Sequence, residues 1–394
     1  MITRRSALQG GAAAGVAALA GGAWLARREG VFSVGVGPAY APWADWHGTP
    51  GEGPRALVRA AILAANPHNT QPWLFRLGAS RIELFADARR HLGTMDPFLR
   101  EMHIGLGCAL ENMVLAGPPH GLQAAVTLDD GTLAPPANPA ERTRVATLDL
   151  SPGPTQDDEL HTAIARRHTH RGAYDPGRPL PGEFMASLQQ LAGADPNLKL
   201  FLFTEATARR RFGDAVVAAT EAITADPAMI DDSQRWFRNH WAEVQALRDG
   251  LTLDAAGMGP WMTAAAKLLP PLSPETSHRF WLDATREVQI PSSPALGLIA
   301  VRALYDRPQA IQTGRVWQRM HLFATARGVA MQPINQPLER VDRERQLGLP
   351  ARTAGVLDAL TGEPEWRPTF AFRFGFAKGS APASPRRAVT DVIV

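Results

Sequence analysis

Cysteine is almost missing from this chain: Cys108 stands alone among 394 residues, which excludes any intrachain disulfide. It falls in an apolar stretch, Met102 to Leu115, where a small buried side chain is expected rather than a nucleophile. Lysine is scarce as well, with Lys199, Lys267 and Lys378 set against 38 arginines. Those arginines are scattered rather than gathered in a stripe, and the net charge is only +3, so a nucleic-acid partner has no support. Also missing are a Gly-x-Ser-x-Gly elbow, a Walker loop and a Gly-x-Gly-x-x-Gly turn after a strand. His161, His168 and His170 match no zinc spacing and have no cysteine or acidic partner close by, so no metal is expected.

What is present fits a globular chain, 45% hydrophobic and 20% charged, able to bury a substantial core as one large domain or two. Arg4-Arg5 precede a Gly/Ala-rich segment, Gly10 to Leu25, and the pattern resembles a twin-arginine export signal. The segment is shorter than the roughly 20 apolar residues a membrane span needs. Pro42 follows Ala39-Tyr40-Ala41, which disfavours a cut there, so retention as a membrane tether is the companion expectation. Residues 1–30 are read as signal or tether and 31–54 as a linker or wrapping arm. The expected location is the periplasm or the outer face of the cytoplasmic membrane.

Periodicity then predicts a helix over 55–65, stopped by Asn66-Pro67, and two strands, Trp73–Leu77 and Ile82–Ala86, in a hairpin. Asp96 and Pro97 read as the N-cap and first residue of a helix reaching Ala116. Strands are expected at Leu122–Leu128 and Val145–Leu150, closing a first unit at about residue 150. In the second unit, 151–394, helices are expected at 157–167, 182–192, 205–224, 231–249, 296–305, 309–327 and 351–361. Strands are expected at Leu198–Phe203 and Thr369–Phe376. Residues 250–294, rich in Gly and Pro, read as an irregular lid. The composite is an α+β protein with two related halves.

Three constellations bear on chemistry. Asn69, Gln71, Pro72 and Trp73 set amides beside a stiff turn, suited to the polar edge of a flat heterocycle, although Asn and Pro also simply punctuate elements. Arg166, Arg167, Thr169 and Arg171 cluster guanidinium forks and a hydroxyl, suited to phosphate or equally to a solvated helix end. Gly328 to Glu339, containing Gln332 and Pro333, forms a loop that could lie along a ring face or merely connect. Arg386-Arg387 follow near the C-terminus.

Arg167-His168-Thr169-His170-Arg171, Asn69-Thr70-Gln71-Pro72-Trp73 and Gly328-Val329-Ala330-Met331-Gln332-Pro333 together resemble the motifs of nitroreductase-like flavoproteins, in the order of their Acg-type branch. The resemblance implies FMN, with its phosphate on Arg166, Arg167, Thr169 and Arg171, closed by Arg386 or Arg387. It implies flavin contacts from Asn69, Gln71, Pro72, Trp73, Gln332 and Pro333. Because the Gln-Pro-Trp loop precedes the arginine motif, it also implies a single-chain pseudo-dimer with FMN between the halves, monomeric as a whole. NAD(P)H or another reductant and a small electron-poor acceptor would take turns at the flavin. No catalytic side chain is then required, because the flavin carries the chemistry. A lidded flavin stored without turnover is the alternative.

Overall fold

The apolar run opening Trp73–Leu77 (β1) and the alternation of Ile82, Leu84 and Ala86 in Arg81–Asp87 (β2) form an antiparallel hairpin, as the sequence predicts, with Gly78 N–H donating 2.8 Å to Arg81 O across the turn. These positions come from a computed structural model, which describes residues 21–48, 51–138 and 140–394. Leu122–Leu128 (β3) and Arg142–Pro152 (β4) complete a four-stranded sheet in the order β1-β2-β4-β3. Helix α1 (Pro54–Ala61) and the long, buried helix α2 (Arg100–Ala116) pack against it. The start of α2 differs from expectation. Leu99 adopts a left-handed φ of 61°, so the helix opens at Arg100 and Pro97 lies outside it. Asp96 still satisfies the helix end, accepting from the N–H groups of Glu101 at 3.1 Å and Met102 at 2.9 Å.

A second sheet repeats the arrangement with Leu198–Phe203 (β5), Ala295–Val301 (β6), Ala330–Pro333 (β7) and Arg367–Gly375 (β8), in the order β5-β6-β8-β7. In each sheet the first strand pairs the second, the fourth lies next, and the third takes the edge. Each also sends one long helix from its second strand to its third, α2 in the first and Arg307–Ala326 in the second. The hairpin turn at Gly78–Ser80 corresponds in the second unit to residues 204–294, which make up most of the difference between the two.

That insertion corrects several expectations. Residues 250–294 are not irregular: they hold helices Pro260–Leu268 and Pro274–Asp283 and a π-helical turn, Ala284–Gln289. Pro260 and Pro274 are first helical residues, where the missing N–H costs nothing, so prolines that look like breakers are starters. The 231–249 stretch is broken into helices Pro227–Gln234 and Trp241–Leu247 around a short strand, Phe237–Arg238. The 157–167 helix shortens to Glu159–Ala163 and a 3-10 turn. Residues 296–305 are not a helix, because Ala295–Val301 is a strand buried along its whole length. A continuous apolar run carries no period to separate those two states. The 328–339 loop contains strand β7 and enters an unforeseen helix, Gln336–Gln346.

The two long helices cross backbone to backbone. A Cβ built on Gly107 would lie 2.0 Å from Ile311 O, and one on Gly314 would lie 1.9 Å from Ile104 O. Cys108 sits at this crossing, buried, with its thiol 3.3 Å from Gly314 O, and burial pushes its pKa well up. It is the inert small residue that its apolar context predicts. Residues 33–48 wrap the molecule: Tyr40 and Trp46 are buried, and Trp43 Nε1 donates 2.7 Å to Ser384 O. The C-terminus returns to the first sheet, where Phe75 N–H donates 2.8 Å to Val392 O.

Beside α2 lies a buried ionic cluster. Arg100 pairs with Asp342 at 2.8 Å, Tyr305 donates to the same carboxylate at 2.8 Å, and Asp96, Glu101 and Glu339 surround them. Burial, aided by Asp96 and Asp342 against the pull of Arg100, pushes Glu339 up to about 8. A carboxyl raised above its unfolded value of roughly 4.3 stabilises the fold at low pH, and that contribution is lost as pH climbs toward 8. Glu339→Gln is therefore expected to raise the melting temperature relative to the parent more at pH 8 than at pH 5. Equal gains at both pH values in a thermal scan would show that Glu339 is not protonated in the fold.

Candidate functional site

Asn66 to Gln71 form a tight turn with three left-handed residues, His68 (φ 45°), Asn69 (φ 55°) and Gln71 (φ 51°), held by Gln71 N–H donating 2.8 Å to Asn66 Oδ1. The amides expected to face a ligand are committed to the chain itself. Asn69 Nδ2 donates to Gly250 O at 3.1 Å and Pro385 O at 2.9 Å, while its oxygen accepts from Arg386. Gln71 Nε2 donates 2.8 Å to Arg248 O, and its oxygen accepts the Arg387 N–H at 2.8 Å. Pro72 and Trp73 are buried, Trp73 at the head of β1. The turn thus braces the insertion and the C-terminal tail.

The arginines expected to hold a phosphate are divided by the fold. Arg167 follows the 3-10 turn and Arg386 lies in the tail, yet both donate to Leu63 O, at 3.2 and 3.4 Å. Both are 2% exposed, and neither forms an ion pair among the described residues. Arg167 Nε and Nη1 and Arg386 Nε have no hydrogen-bond partner among the described residues. Burial lowers Arg167 to about 10, and burial with Arg167 beside it holds Arg386 well below its usual value. The same positive field, added to burial, holds His168 at about 3. Two buried guanidinium groups with unmet donors and no carboxylate are a strong anion-binding arrangement, since an isolated buried charge is costly and planar forks match phosphate oxygens.

The remaining predicted phosphate ligands differ from this pair in burial and partners. Arg166 is exposed, and Thr169 is partly buried. Arg387 binds the backbone of Gln71, and burial lowers it to about 10. Arg171 belongs to a second cluster. It donates 3.3 Å to Ala255 O in the insertion, and Gly257 is so close to the Arg171 carbonyl that a Cβ there would lie 2.7 Å from it.

That second cluster contains residues the sequence did not single out. Arg373 is fully buried on β8, with Nε donating 2.6 Å to Gln332 Oε1 and its guanidinium 3.9 Å from the Tyr174 ring centroid. Gln289 meets Gln332 at 3.4 Å, and Pro333 pairs with Phe372 in the sheet. His68 shares a 3.1 Å hydrogen bond with Ser233, and burial with Arg171 nearby holds it at about 4. His278 is buried, and its Nε2 has no partner among the described residues. One signal for Arg373 was available: a lone cation in the alternating run Phe370-Ala371-Phe372-Arg373-Phe374 must point to the face opposite the phenylalanines. His68, His278 and Gln289 carry no comparable mark, because only the insertion's fold brings them together.

Two proteins of Mycobacterium tuberculosis, from strains CDC 1551 / Oshkosh and H37Rv and both provisionally named as NAD(P)H nitroreductases, are each 28% identical to this chain over 370 residues. The matches cover 91% of the chain and 95% of each relative. This near-complete correspondence supports a nitroreductase-like relationship. Among solved structures, the FMN-dependent nitroreductase NfnB of Mycobacterium smegmatis, in complex with NADPH, aligns with a TM-score of 0.38 at 18% identity, over 59% of this chain and 96% of its own. A nitroreductase with bound FMN from Desulfitobacterium hafniense DCB-2 aligns with a TM-score of 0.36 at 13% identity, over 61% and 98%. No family profile matches the chain.

Proposed function

We propose that this chain is an exported, FMN-dependent oxidoreductase of nitroreductase type, with the phosphate of FMN held by Arg167 and Arg386. The observation that carries the reading is this convergence of two buried guanidinium groups with unmet donors from distant parts of the chain. The relatives' names point to the same activity. The repeated strand order and the glycine crossing support a single-chain pseudo-dimer, in which Arg167 of the second half meets Leu63 of the first. FMN, when bound, supplies the hydride chemistry. The protein's part is to fix the phosphate, to present Arg171 and Arg373 beside the insertion, and to keep water out. NAD(P)H or another reductant and then an electron-poor acceptor such as a nitroaromatic or quinone would use the site in turn.

A second reading, FMN held without turnover, is favoured by one feature. Residues 248–257 are latched to the turn and to Arg171 through Arg248 O, Gly250 O and Ala255 O. Anaerobic NADPH is expected to bleach the yellow reconstituted protein, and a quinone to restore the colour. A chromophore that stays oxidised under excess NADPH assigns the protein to storage, and failure to bind FMN at all rejects both readings.

Export rests on Arg4-Arg5, which lie outside the described residues. The double replacement Arg4→Lys/Arg5→Lys is expected to retain the protein in the cytoplasm. Unchanged export of that variant in a fractionation assay would refute the twin-arginine route.

A further inference from the structure

In a chain with 20% charged residues, three stretches are nearly free of charge: 6–26, 30–44 and 255–274, where Lys267 is the sole exception. A surface meant for water would carry charge throughout, so the placement of the described parts of these stretches is informative. Lys267 Nζ turns inward, donating 2.9 Å to Gly30 O and pairing with Asp254 at 2.7 Å. That contact ties Gly30, at the head of the 30–36 segment, to helix Pro260–Leu268 and removes the one cation from the helix's outer side. What remains outward is apolar. Trp261 is 91% exposed, Phe32 80%, Leu269 63% and Trp24 62%, with Met262 and Leu272 also exposed. Single exposed apolar side chains are ordinary, whereas a collection of this size on two adjoining segments marks an interaction surface.

We propose that the face formed by residues 24–36 and 261–272 rests on a lipid bilayer bearing anionic headgroups, as an interfacial contact that does not span it. The neighbouring cations select a membrane over a second protein. Arg27 and Arg28 follow Trp24 in the same segment, and the Arg28 guanidinium lies 5.2 Å from the Trp24 ring centroid while pairing with Glu29 at 2.9 Å, which leaves a Trp/Arg pairing suited to the headgroup layer with Arg27 as the further cation. No described helix is long and apolar enough to cross a membrane, so contact in the plane of the interface is the mode these elements allow. The inference is independent of FMN and of the redox reading.

The test is flotation of the full chain with vesicles of phosphatidylcholine alone or mixed with phosphatidylglycerol. The parent is expected to float with the mixed vesicles and to bind them more weakly at high salt. Trp261→Ser/Leu269→Ser is expected to reduce binding by ~10-fold or more, since each side chain loses the transfer of a large apolar group. Phe32→Ser, on the other segment, should weaken it in the same direction. All three positions are exposed, so melting temperatures should match the parent and separate lost binding from lost folding. Three results would overturn the proposal: no flotation of the parent, flotation insensitive to these substitutions, or a vesicle-free dimer that Trp261→Ser/Leu269→Ser converts to monomer.

Discussion

FMN affinity is expected to fall by ~100-fold or more in the Arg167→Met/Arg386→Met variant, while the flavin-free Arg167→Met protein melts no lower than the parent. A charge-assisted hydrogen bond is worth roughly 1.5–3 kcal/mol, or about 10- to 150-fold in affinity, and this variant removes the donors of two guanidinium groups at once. The effect on the empty fold differs because Arg167 satisfies only one donor, to Leu63 O, and leaves two unmet. Replacing a buried, uncompensated charge by an apolar side chain of similar length is commonly neutral or stabilising. Arg386 also holds Asn69 and Ala64 O, so its loss alone should cost the empty fold more. Isothermal titration with FMN and thermal scans of the flavin-free proteins separate the two roles. An unchanged FMN affinity would remove both arginines from the site.

Adding one methyl group at the helix crossing is expected to destabilise the protein by ~3 kcal/mol, with Gly107→Ala and Gly314→Ala similar to each other. The atoms a Cβ would strike are the backbone carbonyls of Ile311 and Ile104, which cannot rotate aside as a side chain end could. Overpacking usually costs 1–3 kcal/mol, and a backbone clash lies at the top of that range. Once one methyl has pushed the helices apart, the second meets less resistance, so the double variant should lose less than the sum. Urea unfolding measures all three. A loss below about 0.5 kcal/mol, the range of ordinary surface substitutions, would mean that the helices do not cross where they are placed here.

The hairpin at 73–86 and helices 182–192 and 205–224 were legible because each carries its own period and its own boundary residues within a few positions. Ala295–Val301 was not, since burial on all sides erases the alternation that separates a strand from a helix. The insertion was misread for a different reason. Its Gly and Pro content was read as irregular throughout, yet Pro260 and Pro274 start helices, since Pro at the first helical position is tolerated where Pro in a helix interior is not.

Composition and local pattern by themselves determined that the chain is α+β, that Cys108 is buried and cannot form an intrachain disulfide, and which arginines were worth watching. Local signals suffice for these because they depend on neighbours a few residues away. Only the tertiary structure decided that Arg167 joins Arg386 while Arg171 joins Arg373, and that Asn69 and Gln71 hydrogen-bond to the chain's own backbone and, for Asn69, to Arg386. Whether a guanidinium meets a carboxylate, a carbonyl or nothing depends on groups that approach from hundreds of residues away. The cost of leaving its donors unmet arises only when packing removes the water that would otherwise satisfy them.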